Sequence, residues 1–188
     1  MKGRSLLGFM VSLAILSVGS LTRMQSAEAE PAPMFRPILR DIQNQIPKGM
    51  VMRLPASIPN NGMKLYPIVP REKSDFLGDD AFVIGLASTP NCDATACNIG
   101  NLAVSRRNHS YSSELLQESR QNGEPITLKK GIRGFYFYKR AGSAGYRWEV
   151  VWEQNGMVFE VDFRRMSRKQ VIDVAISMAN ESPIRSAR

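Results

Sequence analysis

Histidine is almost missing from this sequence: His109 is the only one in 188 residues. A histidine-built metal site is therefore excluded, and a histidine-based catalytic triad has a single candidate base. That base sits in the polar stretch Arg106-Arg107-Asn108-His109-Ser110, and the chain has no Gly-x-Ser-x-Gly elbow to present a nucleophile. A solvated loop histidine is the expectation. Cysteine is limited to Cys92 and Cys97, with four residues between them. Two cysteines and one histidine fall short of a four-ligand zinc site, and the spacing is not the redox C-x-x-C. In an oxidising compartment the pair reads as one disulfide closing a tight loop. A reduced pair would leave metal or redox roles open. Glycine-rich phosphate cradles are lacking too. Gly142-Ser143-Ala144-Gly145 is followed by neither a Lys-Ser/Thr pair nor a helix and reads as a hairpin connection. No cofactor and no metal is expected.

Long apolar runs are confined to the N-terminus. Lys2 and Arg4 precede the uncharged run Leu6–Val18, and a polar stretch then ends in Ala27-Glu28-Ala29. Cations, a short apolar segment and an A-x-A end are the three parts of a cleavable secretory signal. The apolar run is well short of the ~20 residues that span a bilayer. Cleavage before Glu30 is expected, with an exported protein, periplasmic or secreted, as the product. No cysteine near that point invites a lipid anchor, and no later segment is apolar enough to span. The leader carries off Lys2, Arg4, Arg23 and Glu28, which lowers the net charge from +8 to +6. Outside the cytoplasm a basic balance points away from nucleic acid. An envelope protein, or an anionic envelope polymer or lipid surface, is the expected class of partner. The cations are spread along the chain, so solubility alone also accounts for them.

The mature length suits one domain. The expected division is a signal peptide at 1–29, a flexible leader at 30–33, a single α+β domain at 34–180 and a short basic tail at 181–188. Phe35, Ile38, Leu39, Ile42 and Ile46 recur at helical spacing until Pro47 stops the pattern. Two short extended segments follow in 50–70. Pro67 and Pro70 place the second at a sheet edge or outside the sheet. Ala81–Ala87 reads as a buried strand, Ile99–Ser105 as its return, and the cysteine loop as the cap of that hairpin. Ser112 or Ser113 is expected to cap a short helix running to Arg120, and Ile126–Lys129 is a weak strand.

The last third carries the clearest pattern. Gly134–Tyr138 alternates, with Phe135 and Phe137 on one face and Tyr136 and Tyr138 on the other. Tyr146, Trp148, Val150 and Trp152 share one strand face, and Arg147, Glu149, Val151 and Glu153 share the other. Asn155-Gly156 supplies a two-residue hairpin turn. With Gln154 facing Met157, the turn pairs Trp152 with Phe159, Val150 with Val161 and Trp148 with Phe163. A slip of one residue would ruin every apolar pair. Ser167 and Gln170 form a capping box, with Met166 and Val171 as the hydrophobic staple. The stripe Val171, Val174, Ala175 and Met178 marks a helix that packs across the aromatic sheet face and stops at Asn180. The expected fold is α+β: a single antiparallel meander sheet with N-terminal and C-terminal helices on one face.

The run Trp152-Glu153-Gln154-Asn155-Gly156, the alternating strand after it and the helix through Ala175-Ile176-Ser177 resemble the C-terminal part of small extracytoplasmic bacterial domains. Such domains accompany anti-sigma regulators and envelope lipoproteins. Arg53-Leu54-Pro55-Ala56-Ser57-Ile58-Pro59 is similar to their N-terminal Leu-Pro…Pro strand, and the whole chain resembles exported cyanobacterial proteins of unknown function. The resemblance implies a sensory or binding module and brings no catalytic residue with it. This chain departs from the regulators in lacking a retained anchor and a cytoplasmic domain.

The same hairpin register yields the candidate site. Glu149 faces Asp162, Arg147 comes opposite Arg164, and Glu153 and Glu160 share the face. Opposed like charges are destabilising and ask for compensation. The plain expectation is a solvated lattice of Arg147, Glu149, Asp162 and Arg164 on the outer face. The alternatives are a hard cation held by the carboxylates, or a raised pKa that permits acid–base work. A non-enzymatic envelope binding or accessory module is the leading expectation. A carboxylate-dependent extracytoplasmic hydrolase using Glu149 and Asp162 is the alternative.

Overall fold

The computed structural model describes residues 30–69, 78–92, 94, 96–140 and 145–187. The expected secretory signal at 1–29 and the expected Gly142-Ser143-Ala144 connection lie outside the described residues. A 3₁₀ turn over Pro33–Ile38 leads into α1 (Leu39–Gln45). The expected helical stretch opens in 3₁₀ form because Pro37 lies inside it and has no N–H to give to an α-helical ladder. Then come β1 (Val51–Met52), β2 (Tyr66–Ile68), β3 (Ala81–Ala87), β4 (Asn98–Arg106), α2 (Ser110–Asn122), β5 (Glu124–Lys129), β6 (Ile132–Arg140), β7 (Tyr146–Gln154), β8 (Met157–Phe163), α3 (Arg168–Asn180) and β9 (Ile184–Arg185).

The main sheet has seven strands in the order β2-β3-β4-β8-β7-β6-β5, and every neighbouring pair is antiparallel. The α+β class is as expected. The order is two meanders rather than one: β2-β3-β4 and β5-β6-β7-β8 each run in sequence. Between them α2 carries the chain from β4 to the far edge, and the second meander returns until β8 lies beside β4. Pro67 stands in one edge strand and Pro125 in the other. The β7–β8 register is the one the Asn155-Gly156 turn dictates, with Trp152 on Phe159, Val150 on Val161 and Trp148 on Phe163. Asn155 and Gly156 both adopt positive φ, as that turn demands. Gly100 is needed for a different reason, since a Cβ there would run into the Asp162 carbonyl and the Phe163 ring of the adjoining strand.

One face of the sheet holds the main core. Phe35, Ile42 and Ile46 from the N-terminal helical segment meet Val171, Val174, Ala175 and Met178 of α3 over Val150, Trp152, Phe159, Val161 and Phe163. Both terminal helices thus lie on one face, as the complementary stripes predict. Ser167 accepts from the Gln170 N–H, and the Gln170 side chain accepts from Ser167 N–H at 2.9 Å, which completes the capping box of α3. The aromatic stripe is graded: Trp152 is fully buried, Trp148 half-buried, and Tyr138 and Tyr146 are 55% and 52% exposed where they stack at the open end of β6–β7.

The expectation of a flexible leader at 30–33 needs correcting. Residues 30–33 are no free leader: Ala32 is buried and its N–H donates to the Pro55 carbonyl at 2.8 Å. The tail is tied as well, because β9 pairs with β1, Arg53 donates to the Glu181 carbonyl, and Ala187 N–H donates to Gln43 at 3.0 Å. Cys92 and Cys97 are joined in a disulfide, which caps the β3–β4 hairpin. No helix among the described residues is long and apolar enough to cross a membrane.

Candidate functional site

The site arises on the opposite face of the sheet, from the alternation that builds the core. Where Trp152 and Phe159 point toward α3, their neighbours point the other way. Cross-strand pairing then lines these neighbours up in rows. Gly85, Asn101, Asp162, Glu149 and Phe137 form one row across β3, β4, β8, β7 and β6. Val83, Ala103, Glu160, Val151 and Phe135 form the next, and Ala81, Ser105, Val158 and Glu153 the third.

α2 lies over the β6–β7 part of these rows. Leu115 and Leu116 pack with Phe137, Val151 and Val158 in a second, smaller core. The helix begins earlier than the sequence suggests, at Ser110, with His109 at its N-cap and no side chain capping it. Ser112 is therefore inside the helix and buried, and its hydroxyl donates to that of Ser105 at 2.6 Å. Toward β3 and β4 the rows carry the small side chains of Ala81, Val83, Gly85 and Ala103 between Asn101 and Ser105. These small side chains do not fill the space beside α2. A cleft of about 170 Å³ remains, walled by Ala81, Val83, Ala103 and Val158 and furnished with Asn101, Ser105, Tyr111, Arg147, Glu160 and Asp162.

The carboxylates are not a solvated lattice. Glu149 is fully buried, Asp162 is 2% exposed and Glu160 is 7% exposed. The correction follows from α2, which adds a second layer that alternation along a strand cannot reveal. Asp162 is the best supported of the three: the Asn101 amide donates to it at 2.9 Å and the Arg147 guanidinium lies 3.5 Å away. The Tyr111 hydroxyl donates to Glu160 at 2.9 Å. Glu149 has Arg147 Nε at 3.5 Å, but neither carboxyl oxygen has a hydrogen-bond partner among the described residues. Glu153 alone behaves as expected of a solvated face, half-exposed and paired with Arg107 at 3.1 Å.

Burial sets the proton affinities. It pushes the Glu149 carboxyl up to about 9, helped by the nearby Glu160 charge and opposed by Arg147 and Lys139. Glu160 is pushed up to about 7 by burial and by Asp162, against the Tyr111 hydrogen bond and Arg147. Asp162 is also raised by burial, while Arg147 and Asn101 pull it back. Burial works against the Arg147 cation, but Asp162 and Glu149 outweigh it and its pKa is raised. Burial and the Glu160 charge push the Tyr111 phenol up, so it stays a donor. Near neutral pH the cluster thus holds a protonated Glu149, a Glu160 at its midpoint and an Asp162 tied to a cation.

Of the four residues singled out in the sequence, Arg147 and Asp162 line the cleft. Glu149 lies behind them, facing Asp162 across the ladder as expected. Arg164 does not face Arg147. The β7–β8 ladder ends at Trp148 and Phe163, and Arg164 N–H donates instead to the Ile99 carbonyl at 3.0 Å. Its charge still acts on Asp162. Glu160 was visible on the right face but unassigned. Asn101 and Tyr111 were missed, because the β4–β8 pairing and the docking of α2 are non-local and leave no mark on spacing. His109 is at the helix start and does not line the cleft. Among the described residues no group of His, Cys, Asp or Glu is arranged to hold a metal ion. No protein-family model, no curated protein and no solved structure matches this chain.

Proposed function

We propose that this protein is an exported, non-enzymatic binding module of the cell envelope, with the cleft beside α2 as its ligand site. The observation that carries the reading is the cleft itself: a small recess with aliphatic walls on which Asn101, Ser105, Tyr111, Arg147, Glu160 and Asp162 converge. Recesses with a few convergent polar groups are the usual form of a small-ligand site. At about 170 Å³ it is close to the ~150 Å³ cavity that accepts one benzene ring, so the ligand, or the part of it that enters, is small. The Cys92–Cys97 disulfide and the tripartite N-terminus support export. The likeness to extracytoplasmic sensory and accessory domains points the same way, and the basic surface suits an anionic envelope surface as a secondary partner.

One observation favours a hydrolase as second reading. Glu149 and Asp162 face each other, and burial raises the proton affinity of both, that of Glu149 to about 9, which suits a carboxyl acting as a general acid. Against it, Glu149 does not line the cleft and Asp162 is already held by Asn101 and Arg147. Cell fractionation with N-terminal sequencing tests the export half, and a chain from the exported fraction that begins at Glu30 is expected. A retained Met1 would refute the cleaved signal. Crystals of the chain soaked with a small-molecule fragment library test the site, with density in the cleft as the expected result. A hydrolase panel run on the parent and on Glu149→Gln/Asp162→Asn decides between the readings. Turnover by the parent alone would install the hydrolase.

A further inference from the structure

Of the two carboxyls that line the cleft, Asp162 is held by Asn101 and Arg147, while Glu160 has one donor, Tyr111, and no ion pair among the described residues. Three carboxyl groups, Glu149, Glu160 and Asp162, lie on the α2 face; Arg147 forms ion pairs with Glu149 and Asp162 at 3.5 Å, and the Arg164 charge also acts on Asp162. Lys139, the next cation to act on them, is drawn away by an ion pair with Glu118 at 2.7 Å. Glu149 has 1% side-chain exposure, and both of its oxygens lack a hydrogen-bond partner inside the cluster. A buried carboxylate with one donor and no ion pair is costly and asks for a further positive or donating group, and Glu160 is that carboxylate in the cleft. The cleft admits such a group from outside, past Ala81, Val83 and Ala103, onto Glu160 and Asp162. A bare metal ion fits poorly, because Ala81, Val83 and Ala103 offer it no ligand atoms and among the described residues no group of His, Cys, Asp or Glu is arranged to hold one.

We infer that the cleft takes an organic ammonium ligand, a protonated primary amine on a short aliphatic stem, with nitrogen on Glu160 and Asp162 and the stem against Ala81, Val83 and Ala103. This rests on the cleft being the ligand site. The Tyr111 hydroxyl already occupies one Glu160 oxygen as a donor and so orients that carboxylate for a second donor. Arg147 fills the far side of Asp162 and confines the ammonium to the β3–β4 side. Protons compete with the ammonium for Glu160, whose affinity for a proton is set at about 7. Binding tightens as the pH rises, about tenfold from pH 6 to pH 8 by linkage.

The experiment is NMR titration of the full chain with three probes of one shape: n-butylammonium, butan-1-ol and butyrate. Saturable shifts at Tyr111 and Ala103 with n-butylammonium, at least tenfold tighter than with butan-1-ol, are expected. Affinity should rise about tenfold between pH 6 and pH 8, and Glu160→Gln should lose most of it. Ala103→Leu, which fills the cleft without altering charge, should abolish binding, and it serves as the test if Glu160→Gln does not fold. Butan-1-ol or butyrate binding as well as the ammonium would overturn the cation inference and leave the cleft standing. Displacement of n-butylammonium by stoichiometric Ca²⁺ would overturn it in favour of a metal. No shift in the cleft with any probe would overturn both this inference and the cleft as ligand site.

Discussion

Trp152 and Phe159 face each other across β7 and β8, and so do Glu149 and Asp162, on the same two strands and a few residues along. The first pair points to α3 and the second to the α2 side. All four side chains are buried. The first pair stacks with ring centroids 5.3 Å apart, and burial is all it needs. The second pair loses hydration on burial and regains only part of it, from Asn101 and Arg147. One hairpin therefore stabilises the fold on one side and stores an unfavourable, titratable charge cluster on the other. The lesson is that burial has opposite signs on the two faces, and only the second face has chemistry to offer.

Removing the aromatic anchor should show the largest effect. Trp152→Ala is expected to cost roughly 3–5 kcal/mol in urea unfolding, the range for a fully buried large aromatic. A cost below about 1 kcal/mol would mean that the core face is not the stabilising one. Arg147→Met, on the other face, strips Asp162 and Glu149 of their ion pair. Its expected cost is roughly 1–3 kcal/mol, below that of a fully buried pair because the arginine is 23% exposed. The cost should be greater at pH 8 than at pH 5, where protonation relieves the carboxylates. The two covering helices can be compared through their starts. α3 has its capping box and α2 has no side-chain cap. Ser167→Ala should cost about 1 kcal/mol. Hydrogen exchange should find the first turn of α2 opening before that of α3 in the parent, and the order should close up in the variant.

The last contrast is a slope with pH. Glu149 is pushed from an ordinary 4.5 up to about 9 and Glu160 up to about 7, so the folded chain binds protons that the unfolded chain has released. Their contribution to stability is fully present below about pH 4.5. It falls as pH rises, until Glu149 too is ionised near pH 9. Thermal melting followed from pH 5 to pH 9 should show a decline. Glu149→Gln, which cannot ionise, should flatten it, and an unchanged slope would remove Glu149 as its source.

These contrasts also mark what a reader of the sequence could see. The β7–β8 hairpin was legible to the residue, because Asn155-Gly156 fixes the register and the alternation checks it. The capping box of α3 and the strand Ala81–Ala87 were legible for the same reason: each is a local signal. The site was half legible. Alternation put Arg147, Glu149, Glu160 and Asp162 on one face but could not say that α2 covers it. Its sequence SYSSELLQESRQN offers only Leu115, Leu116 and Tyr111 as apolar contacts. Nor does any spacing announce that β8 returns to pair with β4, and that pairing brings Asn101 to Asp162.

The two edge strands have a bearing on how the protein behaves in a crowd. β2 holds Pro67 and β5 holds Pro125, and within a sheet proline is tolerated at an edge because its absent N–H faces outward. A strand from another molecule that approached either border would find the row of donors broken, at the middle of β2 and near the start of β5. Seven antiparallel strands would otherwise be a template with two open sides. With both sides interrupted, sheets of neighbouring molecules cannot zip together into ribbons. The chain has a guard against aggregation in two residues that contribute nothing to its site.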